Sequence, residues 1–182
     1  MKVFLTGASS GLGAALARRY AGEGATLGLV ARRESELARL ATALAPASVA
    51  TYACDVRDSE ALAKAGADFV ARYGCPDVVI ANAGISRGFL TELPEDLPAL
   101  RAIFETNVYG IVHTFQPFVA AMAERRSGAL VGIASVAGFR GMPGSGAYCG
   151  SKSAAITYLE SLRVEMRPRG VDVVTICPGF IA

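Results

Sequence analysis

The sequence has no tryptophan and a single histidine, His113, and its four cysteines, Cys54, Cys75, Cys149 and Cys177, stand apart with no Cys-x-x-Cys spacing. Tetrahedral metal centres draw on clustered cysteine and histidine. A metal site is therefore not expected, and the thiols read as free and structural. No run reaches the roughly 18 uninterrupted apolar residues of a membrane span. The pattern of a first strand begins at Val3, which leaves no room for a signal peptide ahead of it. Charge is sparse and balanced: 18 Lys and Arg stand against 16 Asp and Glu, a net +2, with no basic run. That balance argues against nucleic acid as the main partner. A cytoplasmic protein that engages neither nucleic acid nor a membrane is expected. Low-complexity segments and internal repeats are also missing, so the chain is read as one domain over residues 1–182.

What the sequence has in quantity is apolar residues, 52% of the total, and 20 glycines. Short runs rich in Val, Ile and Leu alternate with longer stretches of helical periodicity. Strands are expected at residues 3–5, 25–31, 48–53, 77–81, 129–134 and 171–177, and helices at 14–20, 34–44, 58–73, 99–106, 108–126 and 147–167. Such an alternation folds as a parallel sheet covered on both faces, with ligands at the carboxyl ends of the strands. The fold class is α/β, a doubly wound parallel sheet in three layers.

Helix 108–126 carries Ile111, Val112, Phe115, Phe118, Val119 and Met122 on more than one stripe, a pattern of burial on several sides. One side covers the sheet. The other, with the Ala155, Leu159, Leu162 and Met166 face of the last helix, is a candidate contact with a second subunit; the alternative is a core helix covered by the chain's own loops. Pro117 removes a donor inside this helix and is expected to kink it.

The first strand runs into Thr6-Gly7-Ala8-Ser9-Ser10-Gly11-Leu12-Gly13 and then into a helix. A helix N-terminus presents unpaired N–H groups and the positive end of its dipole, and glycines let an anion approach the backbone. Gly7 suits the tight turn, Gly11 the close approach and Gly13 the contact of helix with sheet. The same pattern also serves connections that bind nothing. About 20 residues on, a dinucleotide site meets the adenosine ribose, where an acid bonds the 2′-hydroxyl of NAD and a cation the 2′-phosphate of NADP. Here Ala31 is followed by Arg32 and Arg33. Guanidinium suits phosphate, and cations are disfavoured at a helix start, so NADP(H) is favoured over NAD(H). The third strand ends in Asp55-Val56 and the fourth in Asn82-Ala83-Gly84, both at carboxyl ends. Asp55 serves equally as a helix cap and Gly84 as a turn residue.

Asn107, Ser135, Tyr148 and Lys152 form the decisive group. Tyr148 and Lys152 are four apart at the start of a helix, so they share one face. To exchange a proton near neutrality, a tyrosine must act about 3 pH units below its ordinary range near 10, a perturbation of about 4 kcal/mol. A neighbouring ammonium favours the phenolate, and Lys152 is placed to supply it. Hydride transfer to a carbonyl develops charge on oxygen; Ser135, at a strand's carboxyl end, can hydrogen-bond that oxygen while Tyr148 protonates it. Surface packing of a tyrosine on a lysine gives the same spacing.

Thr6-Gly7-x-x-x-Gly11-x-Gly13, Asp55, Asn82-Ala83-Gly84, Asn107, Ser135, Tyr148-x-x-x-Lys152 and Pro178-Gly179 resemble, in order and along the whole chain, the motifs of the short-chain dehydrogenase/reductase family. The resemblance implies a Rossmann fold with strand order 3-2-1-4-5-6 and an NAD(P)-dependent alcohol or carbonyl oxidoreductase. It implies Tyr148 as general acid and base, Lys152 on the nicotinamide ribose, Ser135 orienting the substrate oxygen, and Asn107 holding a water in a proton relay. Gly7, Ser9, Ser10, Gly11, Leu12, Gly13, Arg32, Arg33, Asp55, Val56, Asn82, Ala83, Gly84, Tyr148, Lys152, Pro178 and Gly179 are then the expected cofactor contacts. A small-molecule carbonyl or alcohol is the expected substrate, and a homodimer or homotetramer the expected assembly.

Two departures stand out. Many NADP-using members carry a basic residue where this sequence has Ser10, so the cofactor reading rests on Arg32 and the missing acid. The sequence also stops at Ile181-Ala182, where the family continues with a Thr on the nicotinamide amide, a substrate-covering segment and a seventh strand. A C-terminal truncation is therefore expected. Two other functions fit parts of the pattern. Gly7-Ala8-Ser9-Ser10-Gly11 also matches the Gly-x-Ser-x-Gly elbow of a serine hydrolase, with His113 as base, although such an elbow draws its oxyanion hole from an earlier strand's loop. A module that senses NADPH without turnover is the other alternative.

Overall fold

Successive side chains of a strand point to opposite faces, and in the first strand this divides the core in two. In the computed structural model, which describes residues 1–180, β1 (Lys2–Thr6) sends Phe4 to one side and Val3 and Leu5 to the other. The other elements are α1 (Gly11–Gly22), β2 (Thr26–Ala31), α2 (Glu34–Ala43), β3 (Val49–Ala53), α3 (Ser59–Tyr73), β4 (Val78–Ala81), α4 (Leu97–Phe104), α5 (Gly110–Arg125), β5 (Ala129–Ile133), α6 (Gly146–Met166) and β6 (Asp172–Ile176). All strand pairs are parallel, and the order across the six-stranded sheet is β3-β2-β1-β4-β5-β6. This is the doubly wound Rossmann order. After β3 the chain crosses back to pair β4 with β1, Val78 against Val3 and Ile80 against Leu5, and then builds outward to β6. The reversal opens a crevice at the carboxyl ends of the two central strands.

On one face Ala14 and Ala17 of α1 and Leu37 and Leu40 of α2 cover Val3, Leu5, Leu27 and Leu29. On the other, α3, α5 and α6 close over Phe4 and Val79. Phe4 is the hub of that second layer. Its ring centroid lies 4.8 Å from Phe118 and 5.6 Å from Phe69, the latter edge-on. Gly28 of β2 makes room for this cluster, because a Cβ there would lie 2.7 Å from both the Phe4 and Phe69 rings.

The expected subunit face is a correction. Ala155 and Leu159 are fully buried and Leu162 nearly so, all within this chain's own core. Their stripe on α6 points to the sheet, where Gly132 of β5 leaves the space that Leu159 fills. Ile111, Phe115, Phe118 and Met122 of α5 are enclosed likewise, with α3 on the far side. There the Pro117 ring packs on Gly66, whose missing Cβ would lie 2.7 Å from it. The two helices expected at 99–106 and 108–126 are also joined differently. A π-type turn, Glu105–Tyr109, links α4 to α5 without a loop and turns Asn107 into the interior. Among the described residues no helix is long and apolar enough to cross a membrane. Ile181 and Ala182, on which the expected truncation rests, lie outside the described residues.

Because Phe4 joins β1 to helices of the opposite layer, Phe4→Ala is expected to lower stability by about 3–5 kcal/mol. Urea denaturation monitored by circular dichroism measures this; a loss below about 1 kcal/mol would mean that the aromatic cluster is not central to the core.

Candidate active site

β1 ends at Thr6, and the chain turns through Gly7 at φ +70° and Gly11 at φ +52°, angles that glycine adopts without steric penalty. A Cβ at Gly7 would lie 2.8 Å from the Ala83 Cα, and one at Gly13 would collide with the Gly7 carbonyl; at Gly11 it would meet only open space. The turn is clamped from beyond β4. Asn82 Nδ2 donates to the carbonyls of Thr6 (3.1 Å) and Gly7 (3.2 Å), and the Asn82 N–H donates to Thr6 Oγ1 at 3.3 Å. Ser10 precedes α1 without a side-chain cap, and the first turn contains no acid. The N–H groups of this helix start therefore face the cleft without a capping side chain.

A cleft of about 360 Å³ lies in front of the turn, and Gly7, Ser9, Ser10, Leu12, Gly13, Arg32, Arg33, Asp55, Val56, Asn82, Ala83 and Gly84 all line it. At its outer end Arg33 Nη2 donates to Ser9 Oγ at 3.2 Å, and Arg32 Nη1 lies 3.9 Å from Asp55 Oδ2. Asp55 is gripped more closely by Arg57, through the backbone N–H (3.0 Å) and through Nε (3.1 Å) and Nη2 (2.8 Å). Burial pushes the Asp55 carboxyl up, but the Arg57 hydrogen bonds, the Arg57 charge and the more distant Arg32 charge together hold it below its ordinary range. Asp55 caps no helix. That role belongs to Asp58, whose Oδ1 accepts from the Ala61 N–H at 2.9 Å.

A second cleft of about 280 Å³ shares Leu12, Asn82, Gly84 and Ile85 with the first and continues to Ser135, Tyr148, Lys152, Pro178 and Gly179. Ser135 opens a short 3₁₀ turn after β5; its Oγ accepts from the Ala137 N–H at 3.2 Å and lies 3.5 Å from the Pro178 carbonyl. Lys152 Nζ is 5.8 Å from the Tyr148 ring centroid and donates to the Ile133 carbonyl at 2.8 Å. Only 4% of Lys152 is exposed. Burial pushes its ammonium down to about 8, with the charge of Cys177 working against that fall.

Asn107 is wholly buried; its Oδ1 accepts from the Ile85 N–H at 2.8 Å, and its Nδ2 donates to the Ile85 carbonyl (2.9 Å) and Ser151 Oγ (3.0 Å). A Cβ at Gly84 would lie 3.4 Å from Asn107 Oδ1 and 3.5 Å from Lys152 Nζ, so the glycine keeps a small polar space open between them.

Of the residues expected to form the catalytic group and the cofactor contacts, Gly11 and the wholly buried Asn107 line neither cleft, and the rest line one or both. His113 and Ser9 do not form a pair: His113 Nδ1 lies 2.9 Å from the Val56 carbonyl, and Ser9 Oγ accepts from Arg33. Sequence reasoning missed Cys54, Ile85, Ser86, Thr106, Ile133 and Ala134, all of which line the clefts. Most of these adjoin a strand-end motif, and reading one or two residues beyond each motif would have found them. Arg57 carried no comparable signal.

A family model described as short chain dehydrogenase matches residues 1–182. The chain belongs to the short-chain dehydrogenase family. An uncharacterized oxidoreductase of Myxococcus xanthus is 39% identical over 181 residues, covering 97% of this chain and 70% of that protein. A short-chain dehydrogenase from Streptomyces avermitilis superposes with a TM-score of 0.93 at 34% identity, covering all of this chain and 66% of that one. A metagenomic short-chain oxidoreductase solved in complex with NADP gives a TM-score of 0.91 at 29% identity, covering 100% of this chain and 83% of that one.

The short-chain dehydrogenases are oxidoreductases that use a nicotinamide cofactor. The residues present here fit such a group. An uncapped helix start, a turn at left-handed φ and the open space at Gly11 suit a pyrophosphate, and the joined clefts suit an elongated ligand.

The burial of Lys152 has a consequence for stability. Between its folded value of about 8 and its unfolded value of about 10.4, only the unfolded chain retains this proton, so stability rises with pH across that window. At pH 7 the charged, buried group destabilises the fold, and Lys152→Met removes that penalty. The stability of the unaltered protein relative to Lys152→Met is therefore expected to improve between pH 7.5 and 10, read from paired urea midpoints at each pH. A constant difference would contradict the shift.

Proposed function

We propose that this short-chain dehydrogenase transfers hydride between NADP(H) and a carbonyl or secondary alcohol, with Asn107, Ser135, Tyr148 and Lys152 as its working group. The observation that carries this is the continuity of two clefts, one holding Arg32 and Arg33 and the other Ser135, Tyr148 and Lys152. A structural neighbour solved with NADP supports it. When bound, the cofactor supplies or accepts the hydride. In the reducing direction the Ser135 hydroxyl donates a hydrogen bond to the substrate oxygen as charge develops there, and the Tyr148 phenol gives that oxygen its proton. The Lys152 ammonium stabilises the negative oxygen left on Tyr148. The space kept by Gly84 between Asn107 and Lys152 suits a water that returns the proton.

At the outer end, Arg32 and Arg33 serve the 2′-phosphate, with Ser9 holding Arg33 in place. The chain on this reading is one dinucleotide-binding unit over residues 1–182 that also carries the catalytic residues, and it works in the cytoplasm. Its self-association as a dimer or tetramer uses the outward sides of α5 and α6, where Tyr109, just ahead of α5, and Val164 of α6 are 58% and 73% exposed.

Tyr148→Phe is expected to lower turnover at least about 100-fold while leaving cofactor affinity within about twofold; stopped-flow reduction of a carbonyl panel, with fluorescence titration of NADPH, checks both. Undiminished turnover would remove Tyr148 from the chemistry. Arg32→Ala is expected to weaken NADPH about tenfold and NADH little, the loss of one charge-assisted hydrogen bond. Equal losses for both cofactors would end the phosphate role of Arg32.

A further inference from the structure

Asp55 stands in the cofactor cleft beside Arg32, and this juxtaposition is unfavourable for binding a phosphate. A free carboxylate there would repel the incoming anion and draw the Arg32 guanidinium onto itself. Arg57 prevents this. It takes both Asp55 oxygens, Oδ1 through its backbone N–H at 3.0 Å and Oδ2 through Nε and Nη2 at 3.1 and 2.8 Å, whereas Arg32 reaches Oδ2 only at 3.9 Å. Its remaining arm, Nη1, lies 3.7 Å from Glu105, at the start of the π-type turn, which braces the guanidinium from the other side. Arg57 does not itself line the cofactor cleft; it lines a separate depression with Glu105, Tyr109 and His113.

We propose that Arg57 is a positioning residue for cofactor choice: by engaging Asp55 it leaves Arg32 free for the 2′-phosphate of NADP(H). The inference rests on the phosphate role of Arg32 proposed above. A lysine cannot replace it fully, because the grip on Oδ2 uses two arms of a planar fork.

The test is fluorescence titration of NADPH and NADH with the purified chain and its Arg57→Ala, Arg32→Ala, double Arg32→Ala/Arg57→Ala and double Asp55→Asn/Arg57→Ala variants, each first checked for an unchanged circular dichroism spectrum. Arg57→Ala is expected to raise the NADPH dissociation constant about fivefold with NADH changed less than about twofold, the scale of a partly exposed ion pair. Adding Asp55→Asn is expected to restore the NADPH-to-NADH ratio, since no carboxylate remains to capture Arg32. With Arg32 already absent, Arg57→Ala is expected to leave the ratio unmoved. Equal weakening of both cofactors by Arg57→Ala, or a persisting change of ratio without Arg32, would overturn the proposal while sparing the role of Arg32. Failure of Arg32→Ala itself to discriminate would remove both.

Discussion

The side-chain amide of Asn82 spans the place where the sheet reverses direction, bonding the carbonyls of Thr6 and Gly7 from a residue 76 and 75 positions away. Both carbonyls lie at the mouth of the crevice, at the last residue of β1 and the one after it. Unpaired, each would carry the penalty of a part-buried acceptor. Paired, they fix the glycine turn against β4, leaving the opposite side of that turn and the start of α1 free to face a ligand. The crowding around Gly7 and Gly13 follows from the same clamp, since neither has room for a side chain beside Asn82. The site is thus built on a rigid edge rather than on a free loop.

A second polar network holds the other half. Ser151 Oγ donates to the Tyr148 carbonyl at 2.7 Å and accepts from Asn107, which in turn holds both the N–H and the carbonyl of Ile85. The first turn of α6, the π-type turn and the loop after β4 are therefore joined by buried and part-buried hydrogen bonds, in surroundings where each omission is expensive. Lys152 is anchored separately, to the Ile133 carbonyl at the end of β5. Its burial lowers the stability of the charged form. That strain sits in the cleft lined by Ser135 and Tyr148, and functional sites are a common place for a group held against its solvation.

At the outer end the charges are exposed, with the Arg32 side chain 66% accessible, and such pairs add little to folding. Two arginines, Arg57 and Arg32, flank the Asp55 carboxylate there, and Arg33 on Ser9 lines the same cleft, which leaves a positive excess. The same exposure makes this end sensitive to which guanidinium Asp55 prefers.

Much of this was legible along the chain. The apolar run Val3-Phe4-Leu5 marked the first strand, helical spacing put Tyr148 and Lys152 on one face, and Gly7 marked the tight turn between strand and helix. These are properties of the local backbone, which repeats every two residues in a strand and every 3.6 in a helix, and a sequence displays them directly. Other features depended on residues far apart meeting in space. The apolar stripe of α6 fitted a subunit interface as well as it fitted the sheet, until Leu159 found the gap above Gly132. Asp55 fitted a helix cap as well as a cleft residue until Arg57 took its carboxylate and Asp58 capped the helix. The burial of Lys152 and the partners of Asn107 arise only when β5, the π-type turn and α6 converge. Sequence determined the elements, their order and the chemistry available; tertiary structure decided partners and burial, because those depend on distance and solvent exclusion, which no periodicity encodes.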